Sequence, residues 1–80
     1  MVKVKFADGH YIFKLDDLLN KHEMSINKLL RDTNTDFTVV KRFLEPDKYS
    51  VVRLDLLVIA RFCNYFKCSL DDIVEYVNDI

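Results

Sequence analysis

The chain has 80 residues, half of them hydrophobic, with one glycine and one proline. This composition excludes a disordered tail, and no apolar run is long enough to cross a membrane. The net charge of −1 lacks the basic excess of strong nonspecific nucleic-acid binders, although residues 1–48 carry nine Lys/Arg against eight Asp/Glu. The length predicts one domain over residues 1–80. Since no signal peptide is visible, we expect a cytoplasmic protein with reduced cysteines.

The first thirteen residues predict a β-hairpin. Residues 2–6 alternate apolar and basic side chains, Asp8-Gly9 is a strong turn signal, and residues 11–13 are again β-prone. An isolated hairpin is marginally stable in water, so this one must pack on something. It is either a structural flap on the rest of the chain, which we favour, or a strand that pairs with a second copy.

The remaining residues, 14–80, predict a helical core. The expected fold class is therefore all-α, with five helices in a repressor-like arrangement and a short N-terminal hairpin. The first helix runs from Leu15 to Lys21, and its leucines recur on one face. No internal repeat divides the chain.

Two short helices joined by a tight turn form the most informative stretch, Met24 to Leu44. Ser25 can cap the first of these helices, because its hydroxyl can accept from the free N–H groups of the first turn. Asn34, in the intervening turn, tolerates a left-handed backbone better than most residues do. Asp36 is expected to cap the second helix, which spans residues 37–44.

A fourth helix is expected from Asp55, its cap, to about residue 66. Its predicted buried side consists of apolar residues at helical spacing: Leu56, Ile59, Phe62, Cys63 and Phe66. The opposite side is also apolar, with Leu57, Val58 and Tyr65 flanking Arg61. A helix that is apolar nearly all round is either covered, here by the hairpin, or part of an interface. We favour a homodimer contact at these four residues.

A fifth helix is predicted at the end of the chain, because Ser69 and Asp72 match a capping box. Its expected inward side chains are those of Leu70, Ile73, Val74 and Val77. Its outward carboxylates belong to Asp71, Asp72, Glu75 and Asp79. These carboxylates would repel a phosphate backbone, so this face should point away from any nucleic acid.

The order of these elements resembles that of the Cro and phage-repressor (XRE-type) helix-turn-helix family, over roughly residues 13–77. The matching segments are MSINKLL and DFTVVKRFL around the turn, RLDLLVIARFCNYFKCS for the fourth helix, and DDIVEYV at the end. The resemblance implies a bacterial or phage transcription regulator that binds double-stranded DNA, most simply as a dimer. The helix over residues 37–44 would lie in the major groove.

The resemblance also implies which residues contact DNA. The base-reading positions are Phe37, Thr38, Lys41 and Arg42, of which Arg42 has the forked geometry that recognises guanine. The backbone-anchoring positions are Ser25, Asn27 and Lys28 at the start of the preceding helix, and Lys48, Tyr49 and Arg53 in the following loop.

An alternative function is a protein-interaction module, similar to an antirepressor, that keeps the helix-turn-helix scaffold but has lost DNA binding. The net negative charge favours this alternative. Phe37 on the reading helix favours it too, because a phenyl ring cannot hydrogen-bond to a base edge. Ile26 and Glu45 stand where phosphate-anchoring polar residues are usual.

Nothing in the sequence predicts an enzyme, a cofactor or a metal site. His10 and His22 have no acid–base partner at a recognisable spacing, so we interpret both as structural. Cys63 and Cys68 lie five positions apart rather than in a CxxC motif. We interpret Cys63 as a core residue and Cys68 as a small apolar residue at a helix junction.

Overall fold

Four helices and a three-stranded antiparallel sheet form the part of the chain that the computed structural model describes, residues 1–48 and 53–80. The helices are α1 (Leu15–Lys21), α2 (Ile26–Thr33), α3 (Phe37–Leu44) and α4 (Leu56–Phe66). The strands are β1 (Val2–Phe6), β2 (Gly9–Phe13) and β3 (Val74–Asn78), in the spatial order β1-β2-β3. Single turns of 3₁₀ helix lie at Pro46–Lys48, after α3, and at Leu70–Asp72, before β3.

The prediction of an all-α fold with five helices is wrong, because the last segment forms one 3₁₀ turn and then strand β3. This strand pairs antiparallel with β2. Of the residues predicted to face inward, Ile73 and Val74 are buried, Leu70 is exposed and Val77 is half-buried. Short apolar segments such as this one fit a helix and a strand alike, and here pairing with β2 decides between them.

The predicted capping box does form, but it starts the 3₁₀ turn rather than a long helix. The Asp72 carboxylate accepts a hydrogen bond from the Ser69 backbone N–H at 3.1 Å. A cap satisfies free backbone groups at the start of a helix, but it does not determine how far the helix continues.

The predicted hairpin is confirmed, with its turn one residue earlier than expected. β1 and β2 pair with Phe6 opposite Gly9, so the turn residues are Ala7 and Asp8, and Ala7 takes the left-handed conformation (φ 53°). Gly9 belongs to β2 and lies against β3. A Cβ atom at this position would meet the Val77 carbonyl and the Tyr76 hydroxyl, so the close approach of β3 requires a glycine.

One face of the sheet packs on the helices through aromatic side chains. Phe13 in β2 is 2% exposed, and its ring centroid lies 6.3 Å from that of Phe43 in α3. The Phe43 ring lies in turn 5.4 Å from that of Phe62 in α4. These edge-to-face contacts join the sheet, α3 and α4 in one core.

The buried side of α4 is rotated relative to the prediction. Ile59, Phe62 and Phe66 are buried, as expected. Leu56, however, is 77% exposed and Val58 only 6% exposed, so the prediction for these two side chains is wrong. Apolar residues occur on every side of α4, so helical spacing alone does not decide which of them face the core.

Candidate nucleic-acid interface

The helix-turn-helix segment forms as its local signals predict. The Ser25 hydroxyl accepts from the Lys28 backbone N–H at 3.1 Å and caps α2. Asn34 ends α2 in the left-handed conformation (φ 51°, ψ 52°), and the buried Thr33 hydroxyl donates to the Leu29 carbonyl at 2.6 Å. Asp36 occupies the cap position of α3, but its side chain makes no capping hydrogen bond.

The four predicted base-reading residues lie on the outer side of α3. Phe37 is 49% exposed, Thr38 is exposed, and Lys41 and Arg42 are half-buried. Positions 37, 38, 41 and 42 follow helical spacing and therefore share one stripe. The opposite side of α3, with Val40 and Phe43, is fully buried.

The two cations of this stripe have different surroundings. The Lys41 Nζ atom lies 5.3 Å from the Phe37 ring centroid and 3.8 Å from a Glu45 carboxylate oxygen. Arg42 forms no ion pair with any residue in the described ranges. Its planar guanidinium is therefore the more available donor group for a base edge.

At the start of α2, the anchoring lysine is already engaged by a carboxylate. The Lys28 ammonium lies 2.8 Å from Asp32, which also accepts a 2.6 Å hydrogen bond from the Tyr65 hydroxyl of α4. These hydrogen bonds, with Lys28 contributing most, hold the pKa of Asp32 below its ordinary value. Asp32 is not among the predicted site residues, although its spacing from Lys28 is that of a helical ion pair.

The remaining predicted anchors are placed as follows. Asn27 and Arg53 are exposed, and Tyr49 lies outside the described residues. Lys48 lies 3.0 Å from Glu45, and this pairing is the main cause that lowers the pKa of the Glu45 carboxyl. Like Lys28, Lys48 must exchange a carboxylate for a phosphate if it is to contact DNA.

The four residues predicted for a dimer contact do not share one exposed surface. Leu57 is exposed, whereas Val58 lies in the core. Arg61 and Tyr65 point toward the helix-turn-helix: an Arg61 guanidinium N–H donates to the Asn34 carbonyl at 3.3 Å, and the Tyr65 hydroxyl donates to Asp32. These two side chains therefore fix α4 against α2 and the turn.

Comparison with known proteins identifies the family to which this scaffold belongs. The model of the Cro/C1-type HTH DNA-binding domain matches residues 14–79. The chain belongs to this family. No curated protein and no solved structure gave a significant match. Membership in the Cro/C1-type family supports a DNA-binding regulator whose partner is double-stranded DNA, and the matched range begins only after the β-hairpin.

Three further observations concern metal binding, membrane crossing and the cysteines. Within residues 1–48 and 53–80, no group of three or more His, Cys, Asp or Glu side chains is placed to hold a metal ion. None of the helices in these ranges combines the length and the hydropathy that a membrane span requires. Cys63 and Cys68 are both free thiols and half-buried.

Proposed function

We propose that this Cro/C1-type HTH domain is a sequence-specific transcription regulator that reads the major groove with α3. The observation that carries the proposal is the outward stripe of Phe37, Thr38, Lys41 and Arg42, which begins at the first residue of α3. A helix of this kind fits the major groove with its N-terminal residues against base edges. The buried side of α3 keeps the stripe oriented.

Each side chain of the stripe has a distinct chemical role. Arg42 donates to guanine O6 and N7, and Thr38 either exchanges a hydrogen bond with a base or offers its methyl group to thymine. Phe37 supplies only apolar contact, which suits a thymine methyl group. Lys41, stacked on Phe37, supplies positive charge beside the bases.

The flanking contacts go to the DNA backbone. Ser25, Asn27 and Lys28 lie at the N-terminal end of α2, where free N–H groups and the helix dipole favour phosphate. The loop after α3 contributes through the side chains of Lys48, Tyr49 and Arg53. Because Lys28 and Lys48 are paired with carboxylates, phosphate must displace those partners, and we expect modest affinity that falls as the salt concentration rises.

A binding experiment on a selected sequence tests this proposal. A duplex selected from a random pool against the wild-type protein is titrated by fluorescence anisotropy. Arg42→Ala should weaken binding by about 1–3 kcal/mol and relax the preference at one base pair. Lys67→Ala, which removes an exposed cation outside the proposed contacts, serves as the control. The proposal fails if the wild-type protein shows no salt-dependent binding to duplex DNA at micromolar concentration.

We also propose that the domain acts as a dimer, with two α3 helices about 34 Å apart on a two-fold site. The support is a largely apolar groove lined by Tyr11, Leu54, Leu56, Leu70 and Tyr76, among other residues that include Asp71 and Glu75. Three of these side chains are prominently exposed although they are large and apolar: Leu56, Leu70 and Tyr76. Exposed apolar surface of this kind favours association with a second copy.

Sedimentation over a range of protein concentrations tests the dimer. Leu56→Asp should shift the protein toward the monomer, because it places a charge in the groove. Ala60→Asp, at an exposed position of the same helix, is the matched control. Equal sedimentation of the two variants and the wild type would contradict the proposed contact.

The alternative is an interaction module that binds another helix-turn-helix protein rather than DNA. The observation that favours it is the pairing of Lys28 and Lys48 with carboxylates of this same chain, which lowers the charge offered to phosphate. A stable, DNA-free complex with a helix-turn-helix regulator, combined with absent DNA binding, would support this alternative.

A further inference from the structure

The sheet has one edge beside the proposed DNA-contact region and one edge away from it. Strand β1, the first edge, packs against the Pro46–Lys48 turn that directly follows α3. Strand β3, the other edge, packs against the Leu70–Asp72 turn. Strand β1 therefore lies next to the turn that carries Lys48, one of the proposed backbone anchors.

The two edges carry opposite charge. Lys3 and Lys5 in β1 are exposed, and they form no ion pair with any residue that the structure describes. Their neighbours Val2 and Val4 are half-buried, so the lysines alternate onto the solvent side of the strand. At the other edge, β3 and the turn before it carry carboxylates: Asp71, Asp72, Glu75 and Asp79. Of these, Glu75 pairs with Lys14 at 2.7 Å, and Asp79 lies 3.2 Å from the His10 Nδ1 atom.

A basic strand at this place has the chemistry and the spacing for a phosphate backbone. Residues two apart on a strand are separated by about 6.7 Å, which is roughly twice the 3.4 Å axial rise per nucleotide of one DNA strand. The spacing of Lys3 and Lys5 therefore fits phosphates two nucleotides apart along one DNA strand. The acidic β3 edge cannot do the same, and the sheet order keeps it on the far side of β2.

We propose that β1 is a second contact element for the DNA backbone, in which the Lys3 and Lys5 ammonium groups bind phosphates that flank the sequence read by α3. This inference rests on the proposed DNA-binding function and extends it to the hairpin, which lies before the range matched by the family. The contact adds affinity but no base preference, because phosphates carry no sequence information.

The salt dependence of binding tests this inference. The slope of log affinity against log salt concentration is measured for the wild type, K3Q, K5Q and K3Q/K5Q. Each lost phosphate contact should reduce the magnitude of the slope by about 0.9, so the double variant should lose about 1.8. The loss should be equal on the selected duplex and on a random one. K67Q, which removes the same charge elsewhere, should leave the slope unchanged.

A charge-preserving variant and a shorter duplex distinguish a direct phosphate contact from other effects of the substitutions. K3R/K5R should keep the wild-type slope, and trimming the flanking base pairs should remove the difference between K3Q/K5Q and the wild type. If K3Q/K5Q matches K67Q while Arg42→Ala still weakens binding, the hairpin makes no phosphate contact and only this inference fails. If the wild type does not bind duplex DNA, the proposed function fails with it.

Discussion

The helix-turn-helix and the sheet are assembled over very different distances along the chain. In the helix-turn-helix, the contacts that begin and end the helices lie within a few residues, as with Ser25 capping α2 and Asn34 ending it. In the sheet, β2 pairs with β3, which begins about sixty residues later. Local signals therefore specify the first region almost completely, whereas the second depends on a partner strand that no local pattern identifies.

A substitution at the contact between the two regions should lower the free energy of unfolding most. Phe13 of β2 is 2% exposed and packs edge-to-face on Phe43 of α3. Phe13→Ala should destabilise the protein by about 3–5 kcal/mol, because it leaves a cavity where sheet and helices meet. Urea unfolding measures the change, and Phe37→Ala, at an exposed phenylalanine, should cost far less. Equal losses would mean that the sheet contributes little to the core.

A substitution at Gly9 disturbs the pairing of β2 with β3 more selectively than Phe13→Ala does. Gly9→Ala adds a Cβ atom that meets the Val77 carbonyl and the Tyr76 hydroxyl, and it should destabilise by about 1–3 kcal/mol. Ala7→Gly removes a Cβ atom at a left-handed position of the same hairpin, and it should stabilise by about 1 kcal/mol. Opposite shifts of the thermal midpoint are expected. A neutral Gly9→Ala would show that β3 does not pair tightly.

Removing the serine caps compares the start of α2, in the helix-turn-helix, with the start of the 3₁₀ turn that precedes β3. Ser25→Ala should cost about 1 kcal/mol, because the Lys28 N–H loses its acceptor. Ser69→Ala should cost less, since the Asp72 carboxylate still accepts from the residue 69 backbone N–H. Chemical denaturation of both variants measures the difference. A larger loss of stability at Ser69 would mean that the cap matters more for the 3₁₀ turn than for α2.

The smallest expected effect is a pH dependence within the helix-turn-helix. The pKa of Asp32 is lowered in the folded state by Lys28 and Tyr65, so its stabilising effect is present at neutral pH. It is lost as the pH falls below about 4 through the folded-state pKa. Asp32→Asn should therefore show a shallower fall in thermal midpoint between pH 5 and pH 3. Asp47→Asn is the control, and identical slopes for the two variants would contradict the assignment.

These differences explain what the sequence could and could not predict. α1 to α4, the Ser25 cap and the left-handed Asn34 follow from local chemistry, and the outward position of Phe37 and Thr38 follows from helical spacing. The fifth helix was predicted wrongly, because residues 70–77 have apolar spacing that fits either period. The side of α4 was misassigned because apolar residues occur all round it, so periodicity alone could not distinguish Val58 from Leu56.

Part of the candidate site also lay beyond sequence reasoning. The Tyr65–Asp32 hydrogen bond joins residues from α4 and α2, so no spacing within one helix reveals it. The packing of β1 beside the turn after α3 is equally nonlocal. The sequence therefore indicated the stripe on α3, whereas the carboxylates that compete for the anchoring lysines became evident only from the fold.

The late position of β3 has a consequence for how the protein is made. During synthesis the hairpin is complete long before β3 emerges. Until then, the edge of β2 that later pairs with β3 has no partner strand. An unpaired edge with an apolar face invites pairing with another chain. The nascent chain should therefore be most prone to aggregate just before β3 is translated, and removing β3 from the folded protein should expose the same edge of β2 again.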